Sequence, residues 1–207
     1  MELNLPSGIT IGDCENRFSR FVEEEYDYYD GIKSSDPNHI SPEDVIVTSA
    51  INSNLTAKNI RSVHREISKR CDPILVKIPV DASLISDDLD EQSIENLLRE
   101  ACSVYGALIP VATKILHRKR RNLIPILDNV IMEHYVGKAG VNRAQDGSRA
   151  SGIGMDCLML FREDLNASWA ELHGMLAEND FGIISEVRAL EALIWMEIEP
   201  SALYPAR

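Results

Sequence analysis

Long apolar runs are missing from this chain. Nowhere do about 18 apolar residues follow one another, so no segment reads as a membrane-spanning helix. Met1-Glu2-Leu3-Asn4-Leu5-Pro6 has no basic stretch leading into an apolar one, so no secretory leader is read there. Cysteine is sparse and scattered. Cys14, Cys71, Cys102 and Cys157 form no C-x-x-C pair, which excludes a zinc or iron–sulfur site built from them and predicts reduced, buried thiols in a cytoplasmic protein. The histidines, His39, His64, His117, His134 and His173, have no His, Cys or carboxylate at metal-ligand spacing, so no metal and no cofactor is expected. Positive charge is in deficit as well, with 21 Lys+Arg against 33 Asp+Glu and a formal net charge of -12 at pH 7. Such a chain is repelled by polyanions, and any contact with nucleic acid must be confined to a locally basic face. There is no G-x-S-x-G, Walker or kinase signature, and Gly152-Ile153-Gly154 lacks the third glycine and downstream acid of a dinucleotide site.

What is present is a globular balance, 44% hydrophobic and 26% charged over 207 residues, which predicts a single domain spanning 1–207. Helical spacing recurs along it. A first helix is predicted over about 13–30 from Phe18, Phe21 and Val22, stopping at Gly31, with the acidic and aromatic run 23–30 as a solvated face whose tyrosines turn inward. Ser41-Pro42-Glu43-Asp44 is a capping signature that opens a second helix over about 41–52. Ile60, Val63 and Ile67 mark a third, and the proline-bounded run 73–79 reads as an extended connector. Asp87-Asp88-Leu89-Asp90 introduces a helix whose inner stripe is Ile94, Leu97, Leu98 and Ala101. Two closely linked helices follow, about 108–118 with Pro110 near its start and about 124–136 with Pro125 in its first turn. The five glycines of 137–154, mixed with Lys138, Arg143 and Arg149, predict a mobile loop. Met155–Leu165, Ser168–Ala177 and Ser185–Met196 are read as three further helices, and the tail from Pro200 as frayed. The fold class expected is all-α, an orthogonal helical bundle.

Residues 104–135 carry the chemical signal. A helix, a turn at Gly106, a second helix, the basic link His117-Arg118-Lys119-Arg120-Arg121 and an Asp after a Pro form an order suited to DNA, because free amides at a turn and a helix start bind phosphate. On Tyr28-Tyr29-Asp30, Pro37-Asn38-His39-Ile40 with Asp44, Ala112-Thr113-Lys114 and Leu123-Ile124-Pro125-Ile126-Leu127-Asp128, most of the chain resembles an uncharacterised bacterial domain family of unknown function. Residues 104–134 are more distantly similar to the helix-hairpin-helix DNA glycosylases. That resemblance implies an extruded base, a glycosidic bond cut with the help of Asp128, and no metal. It also implies DNA held by Gly106, Lys114, Arg118, Lys119, Arg120 and Arg121.

The departures narrow the chemistry. Pro110 stands eighteen residues before Asp128, where bifunctional glycosylases carry their amine nucleophile, so only monofunctional excision is compatible. Gly106-Ala107-Leu108 lacks the second hairpin glycine, and Asn129-Val130 replaces the usual residues after the Asp. Two readings of Asp128 stay open, a carboxylate placed by the helix dipole and a catalytic one. Beside monofunctional base excision stand two alternatives, a catalytically silent helical module whose acidic surface binds a protein partner, and a hydrolase of small N-glycosides.

Overall fold

The computed structural model of the chain describes residues 1–24, 29–53, 55–179, 181 and 184–199. Among them are eight α-helices and one short hairpin. The helices are α1 (Cys14–Glu24), α2 (Pro42–Val47), α3 (Ala57–Leu75), α4 (Glu91–Cys102), α5 (Ile109–His117), α6 (Asn129–Ala144), α7 (Gly147–Glu178) and α8 (Glu186–Ile198); a 3-10 turn, Thr48–Ile51, extends α2. The all-α expectation holds in its coarse form. Residues 25–28 of the acidic and aromatic run, and the tail from Pro200, lie outside the described residues.

Several helix starts follow from local chemistry. Ser41 caps α2 in a reciprocal box with Asp44, with Pro42 in the first turn. Asp90 caps α4 through the amide of Ser93, and Ser185 caps α8 through that of Arg188. Ile94, Leu97, Leu98 and Ala101 are all buried as their spacing predicts. Leu3–Asn4 and Thr10–Ile11, which show no strand signal, pair antiparallel with Leu3 opposite Ile11. This hairpin is pinned to α7, where the Asp164 carboxylate accepts from the Ser7 amide at 2.8 Å.

Four expectations are corrected. The extended connector at 73–79 starts too early, because α3 runs through Pro73 to Leu75, whose side chain is fully buried. The glycine-rich stretch 137–154 is not a mobile loop. Residues 138–144 are helical after a break at Gly137 (φ 68°), and 147–154 form the beginning of α7. Glycine lowers helix propensity by about 1 kcal/mol per residue, yet Gly154 is buried facing Ile109 and Leu98, and tertiary packing overrides the penalty. The two helices expected over 155–177 are parts of this one 32-residue helix, about 48 Å long. Its inner face, from Ala150 through Ile153, Cys157, Phe161 and Leu165 to Leu176, is the axis on which α4, α6 and α8 pack.

The last correction concerns the site. Pro125 does not start a helix. Leu123-Ile124-Pro125-Ile126-Leu127 is a buried, non-helical segment, and α6 begins only at Asn129. A buried loop must satisfy its backbone, and two α5 side chains do so here. Thr113 Oγ1 accepts from the Leu127 amide at 3.1 Å, and His117 Nδ1 donates to the Ile124 carbonyl at 2.7 Å. Burial pushes the His117 imidazole down to about 4, which keeps the ring neutral.

All four cysteines are free and buried, and among the described residues no helix is long and apolar enough to cross a membrane. Between α4 and α5 the chain turns at Gly106, whose φ of 89° favours glycine, and a Cβ there would lie 3.4 Å from Val63 Cγ2. Gly106→Ala is expected to destabilise the fold by about 1–2 kcal/mol through the left-handed backbone, read as a lowered urea midpoint with unchanged slope. An unchanged midpoint would mean that this turn relaxes freely.

Candidate functional site

The basic run is the largest surprise in the placement of the expected site residues. It is not a surface patch. Lys119 and Arg120 are buried, the Arg118 side chain is 3% exposed, and only Arg121 of the four is exposed. Leaving α5, the chain turns so that these cations point inward, and the loop before α2 folds over them. Arg118 Nε donates to Asp44 Oδ1 at 3.0 Å and its Nη1 to the Tyr29 carbonyl at 3.1 Å. Lys119 Nζ donates to Asp44, to Ser34 Oγ at 2.5 Å and to the Asp36 carbonyl at 2.9 Å. The Arg120 guanidinium meets only neutral acceptors: the Leu75, Pro37, Ile78 and Lys119 carbonyls and Asn38 Oδ1. Burying a cation is expensive unless its donors are paired, and here Asp44 and the surrounding carbonyls pair most of them. Burial works against the Asp44 carboxylate, but Lys119, the Ser41 amide and Arg118 hold it below its ordinary range.

Lys114 is also internal. Its Nζ donates to the Ile51 carbonyl at 2.5 Å, and burial lowers its proton affinity while Asp128 and Glu191 raise it. The Tyr29 hydroxyl donates to the Lys114 carbonyl, and the Arg118 and Arg188 guanidinium carbons lie 5.6 and 5.8 Å from the Tyr29 ring centre.

Of the two readings of Asp128, the cap is the one seen directly. The residue caps α6, and both cap hydrogen bonds go to Oδ1, from the amides of Val130 at 2.9 Å and Ile131 at 3.0 Å. Oδ2 takes no part in the cap. The residue lines a cavity of about 310 Å³ shared by Asn52 of the turn after the 3-10 segment, Lys114 of α5, and Arg188, Glu191 and Trp195 of α8, with Phe21 and Ile126 among its apolar walls. Gly106 lies elsewhere, at the α4–α5 turn, and Arg118 and Arg121 line a different, smaller cavity.

Glu191, Arg188 and Trp195 were not picked out from the sequence. Burial pushes the Glu191 carboxyl up to about 7 against the pull of Arg188, and Asp128 and Asp30 add to the rise. Burial opposes the charge on Arg188, but Glu191 and Asp30 hold it above its ordinary value, with Asp30 bidentate on Nε at 3.0 Å to each oxygen. Arg188 Nη1 also donates to Glu191. A usable signal existed. Val187, Ala189, Leu190, Ala192, Leu193 and Ile194 make α8 apolar nearly all round, so a charge pair at i and i+3 within it had to be internal.

Among the described residues no group of three or more His, Cys, Asp or Glu side chains is arranged to hold a metal. The chain belongs to a family of unknown function, DUF6308, whose model matches residues 15–198 and so covers everything from α1 to α8. No curated protein and no solved structure matches it.

Two outcomes follow from these charges. Asp44→Asn leaves Arg118 and Lys119 buried without a counter-charge and is expected to destabilise the fold by about 3–5 kcal/mol, measured by denaturant unfolding. Glu191 supplies a pH test. Its folded value of about 7 exceeds its ordinary 4.5, so its contribution is complete below about 4.5 and is lost as pH rises through about 7. His117 runs the other way, contributing fully above its ordinary 6.5 and losing that as pH falls through about 4. The two slopes oppose each other up to about pH 6.5, so the melting temperature should fall as pH rises from about 6.5 through 7 and then level off, a fall that Glu191→Gln flattens. An equal fall in that variant would assign it to another group.

Proposed function

We propose that the cavity at Asp128 hydrolyses the N-glycosidic bond of a nucleoside-sized substrate. The observation that carries this reading is the pairing of two carboxyl groups of different character in one partly apolar cavity. Glu191 holds a proton up to about pH 7, and Asp128 keeps one oxygen outside its capping role. Such a division of labour between acid and carboxylate suits glycoside cleavage. The cavity is of the size that takes a small ligand, and Trp195 gives a base an aromatic face.

In this reading Glu191 donates its proton to the leaving nitrogen as the bond to the anomeric carbon breaks. Asp128 stabilises the positive charge that develops on the sugar. Water then adds to that carbon, and its proton passes to Asp128 or to the ionised Glu191. Lys114, fixed on the Ile51 carbonyl, and Asn52 supply donors that orient the substrate.

The burial of Lys114, Lys119 and Arg120 favours a free nucleoside or similar small N-glycoside over duplex DNA. Base excision from DNA uses the same chemistry, and the feature that speaks for it is Tyr105. This residue is 90% exposed beside the Gly106 turn, an aromatic available for stacking against nucleic acid.

Release of free base from a nucleoside panel, and from duplexes carrying uracil or hypoxanthine at low and moderate salt, tests the reading. Asp128→Asn keeps a competent cap, so its melting temperature should stay near wild type while base release drops about 10²–10³-fold. Asp128→Ala should lose about 1 kcal/mol of stability in addition. Release from nucleosides alone supports the small substrate, and salt-sensitive release from duplexes supports DNA. The absence of release from either, with no ligand-dependent stabilisation, would leave a silent helical module and overturn the proposal.

A further inference from the structure

A second cavity, of about 40 Å³, lies beside the cation cluster and is lined among others by Ser34, Arg118, Arg121, Ser185, Arg188 and Asp30. It offers roughly three times the ~10–15 Å³ that one water requires, which is room for a single tetrahedral oxyanion. From its walls we infer that it binds a phosphoryl group.

Three observations converge on an anion. The first is an orphan donor. Arg118 spends Nε on Asp44 and Nη1 on the Tyr29 carbonyl, yet its Nη2 is buried with no hydrogen-bond partner. The side chain is 3% exposed, so solvent does not serve that donor, and an unpaired guanidinium nitrogen is expensive to bury. The second is the local charge. Arg118, Lys119 and Arg120 are folded in against one directly bonded carboxylate, that of Asp44, since every acceptor of Arg120 is neutral. The third is the start of α8, a helix of 13 residues. Its capping residue Ser185 lines the cavity, so the positive end of the helix dipole lies there.

Asp30 is the one wall residue of opposite sign, and it is engaged by Arg188 at 3.0 Å. It sets the selectivity: a bound phosphoryl group must compete with it for Arg188 while being held by Arg118 and Arg121. Planar guanidinium groups suit a tetrahedral oxyanion better than a spherical one, which separates phosphate from chloride. The phosphoryl group has two possible sources, inorganic phosphate and a nucleoside monophosphate. Arg188 lines this cavity and the Asp128 cavity alike, so the second source would join this inference to the proposed hydrolase, whereas binding of inorganic phosphate stands without it.

The test is calorimetric titration of the full chain with inorganic phosphate and with a nucleoside monophosphate, against sodium chloride of matched ionic strength. Thermal shift provides a second readout. Phosphate should bind and raise the melting temperature where chloride does neither. Arg121→Gln, at an exposed position, should weaken phosphate at least about tenfold with an unchanged circular dichroism spectrum. Asp30→Asn should instead tighten it, a reversal that a general loss of structure would not produce. Arg118→Lys should weaken it too, and if that variant fails to fold the other two decide. Equal responses to phosphate and chloride, or phosphate affinity unchanged in both Arg121→Gln and Asp30→Asn, would overturn the site. Phosphate binding that depends on Arg121, in a protein without base release, would retain the site and remove the hydrolase.

Discussion

The interior of this protein is arranged around positive charge that it cannot expose. Arg118, Lys119 and Arg120 follow α5 directly, and the turn that leads the chain into the buried segment 123–127 carries them into the core. Once there, every donor needs an acceptor, and the nearby helices supply few, since their carbonyls are used internally. The segment from Tyr29 to Asp44 is shaped by that demand. It contributes the Tyr29, Asp36 and Pro37 carbonyls, Ser34 Oγ, Asn38 Oδ1 and the Asp44 carboxylate, all turned toward the cations. A stretch with few buried apolar residues of its own is thus held in one conformation by polar contacts. Such contacts are worth little net when complete and are damaging when broken.

Capping chemistry was the part of the fold that could be read ahead of the structure. Ser41 with Asp44 acts locally, through amides within a few residues, and local signals survive any tertiary arrangement. The signals that failed depend on what lies across the core. The glycines of 147–154 look like a loop until the first half of α7 is seen packed on Ile109 and Leu98. Pro73 looks like a boundary until Leu75 is seen buried two residues on in the same helix. Cations in sequence look like a surface, because the neutral carbonyls that accept from Arg120 come from positions as far away as Pro37 and Ile78, and nothing in their identity marks them as partners. The candidate site was half legible. Asp128 and Lys114 were picked out from the motifs, whereas Glu191 and Arg188 are distant in sequence and needed the apolar circumference of α8 to be read as burial.

The capping role of Asp128 also bears on the chemistry proposed for it. The amides of Val130 and Ile131 hold one carboxylate oxygen, which fixes the orientation of the other at little conformational cost. The preceding segment, tied down by Thr113 and His117, leaves that cap little freedom to shift against α8. Asp128 and the wall formed by Arg188, Glu191 and Trp195 are carried by α6 and α8, which pack on each other and on the same long helix α7.

The separations along the chain in the cation cluster also have a kinetic meaning. Asp44 and Arg118 are 74 residues apart, and Ser34 and Lys119 are 85 apart. Loops of that size close late, after helices with short connections such as α4 with α5 have met. Until then the cations remain hydrated and carry no desolvation penalty. Contacts closed after the transition state set how long a native state persists more than how fast it is reached, so a latch spanning 74 residues at Asp44 bears first on unfolding.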